Sequence, residues 1–393
     1  MFINRRLSEI IRSTLESKSL LLLGPRQTGK TTILKRLSFT KAYNLAESKL
    51  RLKFEKNPSL FADEVRSFEV KNVSIYIDEI QKVPDLMDEI QVLIDEKVAV
   101  FCMTGSSARK LKRGSKTNLL PGRVALLRLD PLSLSESPKF NLSRALVYGS
   151  LPEIVIQVDE RKADKILRDY VGLYLDEEVR AEALVRNVGL FHRFLELAAI
   201  ESGRVVNFSN ISKDVGVSYH TIQSYYAILE DCLIVERIDP LTDKSFNRKK
   251  LVKSSKYLFF DLGVRRVAAN EGVKLPKEHL GIVFEQWVAL EIIRYFRSRD
   301  LPYQLKFWSD PDGPEVDWII CFEGNYFPIE VKYTQSPSIS DCRHLVTFES
   351  ECVNSKRGII VYAGEENLML SNKYSVISYK NFTKWLDKNF KPT

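Results

Sequence analysis

The stretch at residues 19–32, SLLLLGPRQTGKTT, decides the fold of the first third of the chain. Its apolar start predicts a short buried strand, and we expect a helix to begin at Lys30. Between them, residues 24–31 fit the spacing G-x-x-x-x-G-K-[ST]. The glycines allow the backbone to curl so that successive N–H groups face one point, at the positive end of the following helix. The stretch therefore predicts a phosphate-binding loop.

The residue types in this loop match the chemistry of Mg·ATP binding. The Lys30 ammonium group would reach the β- and γ-phosphates, and the Thr31 hydroxyl would ligate Mg²⁺. The predicted nucleotide-binding residues are Gly24, Pro25, Arg26, Gln27, Thr28, Gly29, Lys30, Thr31, Thr32 and Asp78.

Polar residues follow the next two apolar runs. VSIYI at residues 73–77 ends in Asp78 and Glu79. We expect Asp78 to hold Mg²⁺ through water and Glu79 to polarise the attacking water. The run at residues 98–103 is followed by TGSS, where Ser106, or else Thr104, would contact the γ-phosphate or that water. A helix N-cap role is the open alternative.

An arginine from a neighbouring subunit often completes such a site by stabilising the charge of the transition state. Arg123 is the candidate here, with Arg109 as the second choice. This role would require a homo-oligomer. The alternative is an arginine that simply faces solvent.

The order of the apolar runs predicts the fold class. Runs at residues 19–23, 73–77, 98–103 and 124–129 alternate with helical patterns, which is typical of a parallel sheet covered on both faces. The pattern becomes mainly helical after residue 144, and a third α/β unit begins after residue 257. We predict a P-loop ATPase domain at residues 1–140, a helical and winged-helix domain at 141–256, and an α/β domain at 257–393.

Five motifs together carry a resemblance to a known family. GPRQTGKTT, YIDEIQKVP, MTGSS, GRVALLRLDPLS and YGSLPEI resemble the prokaryotic AAA+-type P-loop ATPases whose C-terminal domain was long described as of unknown function. The resemblance covers essentially the whole chain. It implies ATP as the nucleotide and a sheet with the P-loop strand at its centre.

The segment at residues 207–241 resembles a winged helix-turn-helix. Ser209 is expected to cap the first helix, residues 216–218 to form the turn, and residues 219–230 to form the recognition helix. The alternative is a lid on the nucleotide domain. The predicted core positions are Ile222, Tyr226 and Leu229, the exposed ones are His220, Gln223 and Ser224, and the candidates for phosphate contact are Arg248, Lys249, Lys250, Lys253 and Lys256.

The C-terminal third contains a second group of candidate residues. Asp317 lies in EVDWII, and Glu330 and Lys332 lie in IEVKY. A turn centred on residues 323–324 would place Asp317 opposite Glu330, with Lys332 on the same face. Facing carboxylates repel unless a cation lies between them, and Mg²⁺ or Mn²⁺ suits carboxylate oxygens. Glu285, on the preceding helix, is a candidate third acid.

The order helix, three strands, helix, strand resembles the PD-(D/E)XK nuclease fold. That resemblance implies Asp317, Glu330 and Lys332 as catalytic residues and Glu285, Asp317 and Glu330 as metal ligands. Val316 stands where the family usually has proline. The alternative is a domain that binds DNA or a protein without cutting.

Composition adds weaker indications. The net charge of +8 favours an acidic partner such as nucleic acid, and we expect DNA in preference to RNA. Five scattered cysteines favour neither a disulfide scaffold nor a zinc site. The N-terminus lacks an apolar signal segment, and no apolar run approaches the roughly 20 residues that cross a bilayer. We therefore expect a cytoplasmic protein.

Taken together, the motifs predict a protein that hydrolyses ATP in DNA transactions and whose C-terminal domain is a metal-dependent nuclease. The alternative is an ATP-controlled switch that binds DNA or a protein through a catalytically inactive C-terminal domain. A nucleotide-regulated protein without a nucleic-acid role is the third possibility.

Overall fold

The computed structural model describes residues 3–69, 73–107, 120, 122–175, 187–242, 254–310 and 313–391. Three packed units follow one another along the chain. Arg109, Arg248, Lys249, Lys250 and Lys253 lie outside the described residues.

The N-terminal unit contains a five-stranded sheet in the order β2-β3-β4-β1-β5, and all of its strand pairs are parallel. The predicted parallel sheet is confirmed. Its strands are β1 (Ser19–Leu23), β2 (Lys41–Asn44), β3 (Val73–Asp78), β4 (Ala99–Gly105) and β5 (Val124–Arg128). Its helices are α1 (Leu7–Leu15), α2 (Lys30–Leu34), α3 (Ser48–Lys56), α4 (Ser59–Arg66) and α5 (Leu86–Asp95).

Two details of this sheet differ from expectation. The phosphate-loop strand β1 lies between β4 and β5, one place from the edge, so β4 takes the central position. The edge strand β2 was not predicted, because three of its four residues are exposed and it lacks an apolar run. By contrast, all five residues of β1 are buried, as a strand covered on both faces requires.

The middle unit consists of helices and one two-stranded ladder. The helices are α6 (Leu142–Tyr148), α7 (Pro152–Ile156), α8 (Glu160–Asp169), α9 (Val188–Ile200), α10 (Phe208–Val215), α11 (Tyr219–Asp231) and α12 (Leu262–Ala268). The strands β6 (Val235–Ile238) and β7 (Lys256–Phe259) pair antiparallel. Residues 256–269 lie where this unit packs against the C-terminal unit, since Tyr257, Phe259 and Val264 belong to the middle core and Leu258 and Leu262 to the C-terminal core. The predicted boundary at residue 257 falls within this stretch.

Helices α10 and α11 form the predicted pair around a tight turn at Gly216, whose φ of +80° suits glycine. Asn207, rather than the predicted Ser209, caps α10 by accepting a hydrogen bond from the Asn210 N–H. The correction follows from geometry, because the helix begins one residue before Ser209. Ser218 caps α11.

The C-terminal unit contains a six-stranded mixed sheet in the order β12-β13-β11-β10-β9-β8. The long helix α13 packs its apolar residues into the core on one face of the sheet. The strands are β8 (Gln304–Ser309), β9 (Glu315–Phe322), β10 (Asn325–Lys332), β11 (Ile359–Tyr362), β12 (Leu368–Leu370) and β13 (Tyr374–Ser378). The helices are α13 (Lys277–Arg297), α14 (Arg343–Glu351) and α15 (Phe382–Asn389). Within the described ranges, no helix is both long enough and apolar enough to cross a membrane.

Candidate functional site

The phosphate loop follows β1 and depends on two glycines. A Cβ atom at Gly24 would lie 2.4 Å from the carbonyl oxygen of Leu129, which leaves no room for a side chain. Gly29 has a φ of +97°, a conformation that glycine adopts without strain, and α2 begins at the next residue. These two positions let the loop curl directly into the start of the helix.

The Lys30 side chain is held inside the loop. Its Nζ donates hydrogen bonds to the carbonyl oxygens of Gly24, at 2.7 Å, and Pro25, at 2.9 Å. The Thr28 hydroxyl also donates to the Pro25 carbonyl, at 2.9 Å. A buried ammonium group at the centre of a loop is suited to bind phosphate oxygens.

The predicted acid pair meets the loop at the carboxyl end of the sheet. The Thr31 hydroxyl lies 3.3 Å from Asp78 Oδ2, and the Thr104 hydroxyl donates to Asp78 Oδ1 at 2.5 Å. The Glu79 backbone N–H donates to Thr104 Oγ1 at 3.2 Å. Thr104, the second choice at its position, therefore contacts Asp78, and Thr31 and Asp78 offer adjacent oxygen ligands for Mg²⁺.

Gln81 is a site residue that the sequence did not reveal. Its Nε2 donates to Glu79 Oε2 at 2.5 Å and to Ser106 Oγ at 3.0 Å. The side chain thus links Glu79 to Ser106, the preferred candidate at the end of β4. Glu79 has a φ of +59° and directly precedes the short turn that carries Gln81, a placement that no sequence motif indicates.

Arg5 is a second residue that sequence reasoning missed. Its guanidinium group donates to the carbonyl oxygens of Thr28, at 2.8 Å, and Asp130, at 2.6 Å, and forms an ion pair with Glu136 at 3.3 Å. Burial alone would raise the pKa of Glu136, but the charge of Arg5 lowers it below its usual range. No motif marks Arg5, since its partners are distant in sequence.

A cavity of about 420 Å³ opens above the loop, within the size range of small-molecule sites. Its polar lining includes residues 26–32, Arg5 and Glu79. Its apolar lining comes from the N-terminal segment, from Leu132 and from α7, through Ile3, Leu132, Pro152 and Ile156. The cavity, the glycine loop and the Thr31–Asp78 oxygens together fit a nucleoside triphosphate with Mg²⁺.

Arg123 lies apart from this cavity. It directly precedes β5, whose first residue pairs with Ser19 at the end of β1 opposite the loop. Its guanidinium group is exposed and forms an ion pair with Asp95 at 2.6 Å. Arg123 therefore does not line the cavity of its own chain, and its action on a neighbouring subunit stays a prediction.

The candidate acids of the C-terminal unit lie on two adjacent strands. The turn between β9 and β10 falls at Glu323 and Gly324, both with positive φ, as predicted. The ladder pairs Trp318 with Ile329, so Asp317 comes next to Glu330. There the ladder ends, because Asp317 Oδ2 accepts the hydrogen bond of the Val331 N–H at 2.7 Å.

Two lysines contact the acids of this unit. Lys332 Nζ donates to Glu330 Oε1 at 2.7 Å. Lys256, 3% exposed, donates to Glu285 Oε1 at 3.1 Å and to Glu315 Oε1 at 3.0 Å. The prediction that Lys256 contacts phosphates is therefore wrong, since its ammonium group is buried against carboxylates. Within the ranges that the structure describes, no group of three acidic, histidine or cysteine side chains is arranged to hold a metal ion.

Burial and mutual repulsion perturb these carboxyl groups. Burial raises the pKa of Glu330 to about 8, and the neighbouring Asp317 adds to the effect while Lys332 opposes it. Burial likewise raises the pKa of Glu285 to about 7, although Lys256 opposes the shift. Burial also raises the pKa of Asp317. Raised pKa values in a cluster of carboxyl groups are characteristic of functional sites, although structural ion pairs produce them as well.

The outer face of α11 carries the third group of candidates. His220, Gln223 and Ser224 are exposed, as predicted. Ile222, Tyr226 and Leu229 are buried in the middle core, also as predicted. The helix thus presents a short polar surface free of core contacts.

The parallel sheet, the phosphate loop and the acid pair define the class of the N-terminal unit, a P-loop domain of the AAA type. Comparison with protein families agrees with this class. Residues 16–137 match the AAA domain, residues 139–274 match a domain of unknown function, and residues 280–382 match another domain of unknown function.

Two relatives match almost the whole chain. Uncharacterized proteins of Mycobacterium tuberculosis and Mycobacterium bovis are each 26% identical to it over 388 residues, which cover 95% of this chain and 83% of theirs.

Solved structures give weaker similarities. A DNA polymerase III gamma subunit-related protein from Thermotoga maritima matches with a TM-score of 0.26 and 10% identity, over 57% of this chain and 99% of its own. A chain from a structure of two Pif1 helicases that unwind forked DNA matches with a TM-score of 0.26 and 13% identity, over 43% of this chain and 52% of its own. Similarity at this level carries no functional inference.

Proposed function

We propose that this protein binds and hydrolyses Mg·ATP at the phosphate loop and uses the nucleotide cycle to act on DNA. The observation that carries the first part is that Lys30, Thr31 and Glu79 line one cavity, with the Asp78 carboxylate 3.3 Å from the Thr31 hydroxyl. Lys30 and Thr31 begin α2, directly after the loop that follows β1, while Asp78 and Glu79 lie at the carboxyl end of β3 in the same parallel sheet. Such an arrangement is what phosphoryl transfer needs, since its catalysis consists largely of positioning and charge stabilisation.

Each side chain has a distinct task in this proposal. The Lys30 ammonium group binds phosphate oxygens, and Thr31 with Asp78 holds Mg²⁺, which supplies positive charge to the phosphates. Thr104 orients Asp78 through its hydrogen bond. The Glu79 carboxylate orients the attacking water, and Gln81 fixes that carboxylate relative to Ser106.

Nucleotide binding and phosphate release test the first part together. Lys30→Met should lose ATP binding in equilibrium dialysis and ATP hydrolysis in a phosphate-release assay. Lys35→Met is the matched control, because Lys35 is an exposed lysine that directly follows the same helix. The proposal fails if Lys30→Met hydrolyses ATP at the rate of the unmodified protein.

Action on DNA is supported by the exposed polar face of α11 and by the net charge of +8. In this proposal, α10, α11 and the β6–β7 ladder form a winged helix-turn-helix, and α11 approaches the DNA. The basic residues Arg248, Lys249, Lys250 and Lys253 stay candidates for phosphate contact.

The DNA contact can be tested by fluorescence anisotropy with labelled duplex DNA at low salt. The double variant His220→Glu with Gln223→Glu should weaken binding at least about tenfold, since it places two negative charges against phosphates. Lys384→Glu on α15 changes the net charge by the same amount at an exposed position of another unit. Equal loss of affinity in both variants would show that charge alone, and not α11, determines binding.

Metal-dependent nuclease activity is a second candidate function. Asp317 and Glu330 are neighbours across two strands, Lys332 contacts Glu330, and the order of elements fits a PD-(D/E)XK fold. Mg²⁺ or Mn²⁺ would polarise a phosphodiester at these acids. Cleavage of linear DNA, supercoiled DNA and RNA should be lost in Asp317→Asn. Absence of cleavage by the unmodified protein that still hydrolyses ATP would instead favour a binding switch.

A further inference from the structure

One of the two lysines that contact the C-terminal acids belongs to another unit of the chain. Lys256 Nζ lies 3.1 Å from Glu285 Oε1 and 3.0 Å from Glu315 Oε1. It also lies about 5 Å from the ring centres of Phe307 and Trp318, whose faces attract a cation. Hydrogen bonds, ion pairs and aromatic rings thus enclose this ammonium group.

This acid cluster contains more carboxyl groups than ammonium groups. Among the residues that the structure describes, the carboxyl groups of Glu285, Glu315, Asp317 and Glu330 face two ammonium groups, those of Lys256 and Lys332. The Glu330 side chain is 4% exposed, and its Oε2 atom has no hydrogen-bond partner among the described residues. A buried acceptor without a partner is costly unless another group can satisfy it.

Lys256 reaches the cluster from the middle unit. It is the first residue of β7, where it pairs with Ile238 of β6 and forms a bridge with Val205. Glu285 lies on α13, while Glu315, Asp317 and Glu330 lie on β9 and β10 of the C-terminal sheet. The ion pairs of Lys256 therefore cross from the β6–β7 ladder to the C-terminal unit.

We propose that Lys256 is an internal counter-cation that keeps the acid cluster closed to divalent metal, and that its withdrawal opens an Mg²⁺ or Mn²⁺ site at Glu285, Asp317 and Glu330. Lys256 Nζ occupies Glu285 Oε1, so a divalent cation that bound Glu285 would have to displace this ammonium group, since the two positive charges repel strongly at short distance in a poorly solvated site. The inference rests on the second function proposed above for its biological consequence. Its metal-binding test does not depend on that function.

Through Lys256, the middle unit would control metal binding at the acid cluster of the C-terminal unit. Any shift of the β6–β7 ladder away from the C-terminal sheet would draw the ammonium group from the acids. Because β6 follows α11 directly in the chain, binding at the α11 surface is a natural source of such a shift.

Manganese titration in the absence of nucleotide tests the proposal, with free Mn²⁺ measured by electron paramagnetic resonance. Lys256→Met removes the charge and retains most of the side-chain volume. It should gain one Mn²⁺ per chain, bound at least about tenfold more tightly than by the unmodified protein. Adding Glu330→Gln should abolish the gain. Lys306→Met is the matched control, because Lys306 pairs with Asp239 outside the cluster, and it should gain nothing.

Three outcomes would overturn the proposal. The first is a folded Lys256→Met protein that gains no Mn²⁺ site. The second is equally tight binding by the unmodified protein that Glu330→Gln removes. The third is failure to fold of both Lys256→Met and Lys256→Gln, since the latter keeps hydrogen-bond donors and the proposal requires the cluster to survive without the lysine charge.

DNA cleavage by Lys256→Met separates this inference from the nuclease function. A gained Mn²⁺ site without cleavage would support the counter-cation role and contradict the nuclease function. A gained site with cleavage that Asp317→Asn removes would support both.

Discussion

At the scale of single residues, the nucleotide site contains side chains whose role is to position other side chains of the site. Gln81 is the clearest case, because its amide bridges Glu79 and Ser106. Gln81 does not line the cavity above the loop. We therefore assign Gln81 as a positioning residue for Glu79.

Replacement of Gln81 should separate catalysis from binding. In Gln81→Leu the Glu79 carboxylate loses its donor, so kcat for ATP hydrolysis should fall by up to about 100-fold while KM stays nearly unchanged. Gln81 lies in a short 3-10 helix, Ile80–Lys82, and Lys82→Ala at the next position of that helix should leave both constants unchanged. A parallel loss of kcat, KM and thermal stability would indicate a merely structural role.

Glu330 gives a prediction for stability against pH. Its pKa lies at about 8 in the folded protein and near 4.5 in an unfolded chain. The folded state thus retains a proton that the unfolded state releases, so stability from this group is present below pH 4.5 and lost as the pH rises to about 8. Asp317 and Glu285 contribute to the shift, and Lys332 opposes it.

The free energy of unfolding of Glu330→Gln, relative to that of the unmodified protein, should therefore increase as the pH rises from 5 to 8.5. The gain in the free energy of unfolding should exceed about 1.4 kcal/mol, the equivalent of one pKa unit. Urea unfolding at both pH values measures it. A difference between the two proteins that stays constant with pH would contradict the assignment.

At the scale of elements, the phosphate loop lies so close to the end of β5 that no residue with a side chain fits at Gly24. Gly24→Ala would press a Cβ atom against the Leu129 carbonyl, and the backbone must shift to admit it. We expect a loss of about 2 kcal/mol in the free energy of unfolding and weakened ATP binding.

Gly281→Ala is a control with the opposite sign. Gly281 is an exposed position within α13, and a Cβ there meets nothing within 4 Å. The same substitution should stabilise the protein by about 0.5–1 kcal/mol, because alanine has less conformational freedom to lose on folding. Thermal unfolding of the two variants compares them directly, and equal effects would contradict the steric explanation.

The sequence predicted the elements whose signals are local. The phosphate loop, the β9–β10 turn and the bounds of α11 follow from spacing, turn residues and helical periodicity over short stretches. Arg5 and Lys256 depend on partners far away in the chain, so no local pattern reveals them. Lys256 in particular resembles its basic neighbours in sequence, yet tertiary packing buries it.

At the scale of the whole molecule, buried ion pairs join the three units. Arg297 of α13 bonds to Asp130 at 3.2 Å and to Glu236 of β6 at 2.7 Å, and Arg128 at the end of β5 contacts both acids. Burial alone would raise the pKa of Glu236, but the two guanidinium groups lower it to about 2. These ion pairs hold β5 of the N-terminal unit, β6 of the middle unit and α13 of the C-terminal unit against one another.

The trans role of Arg123 also belongs to this scale. Arg123→Ala and Lys30→Met should each be inactive alone in ATP hydrolysis. Mixed subunits should recover part of the activity, because the Lys30→Met subunit still supplies Arg123 to an intact loop. Recovery in mixtures, measured against the same total protein of either variant, would support an oligomeric site. Full activity of Arg123→Ala alone would contradict the role.

A comparison of ATP binding and ATP hydrolysis in Glu79→Gln tests the proposed nucleotide site most directly. We expect ATP affinity within about threefold of the unmodified protein, because Glu79 does not hold the phosphates, together with a loss of hydrolysis of at least about 100-fold, since the water loses its orienting carboxylate. Hydrolysis at the unmodified rate by Glu79→Gln would contradict the proposed site.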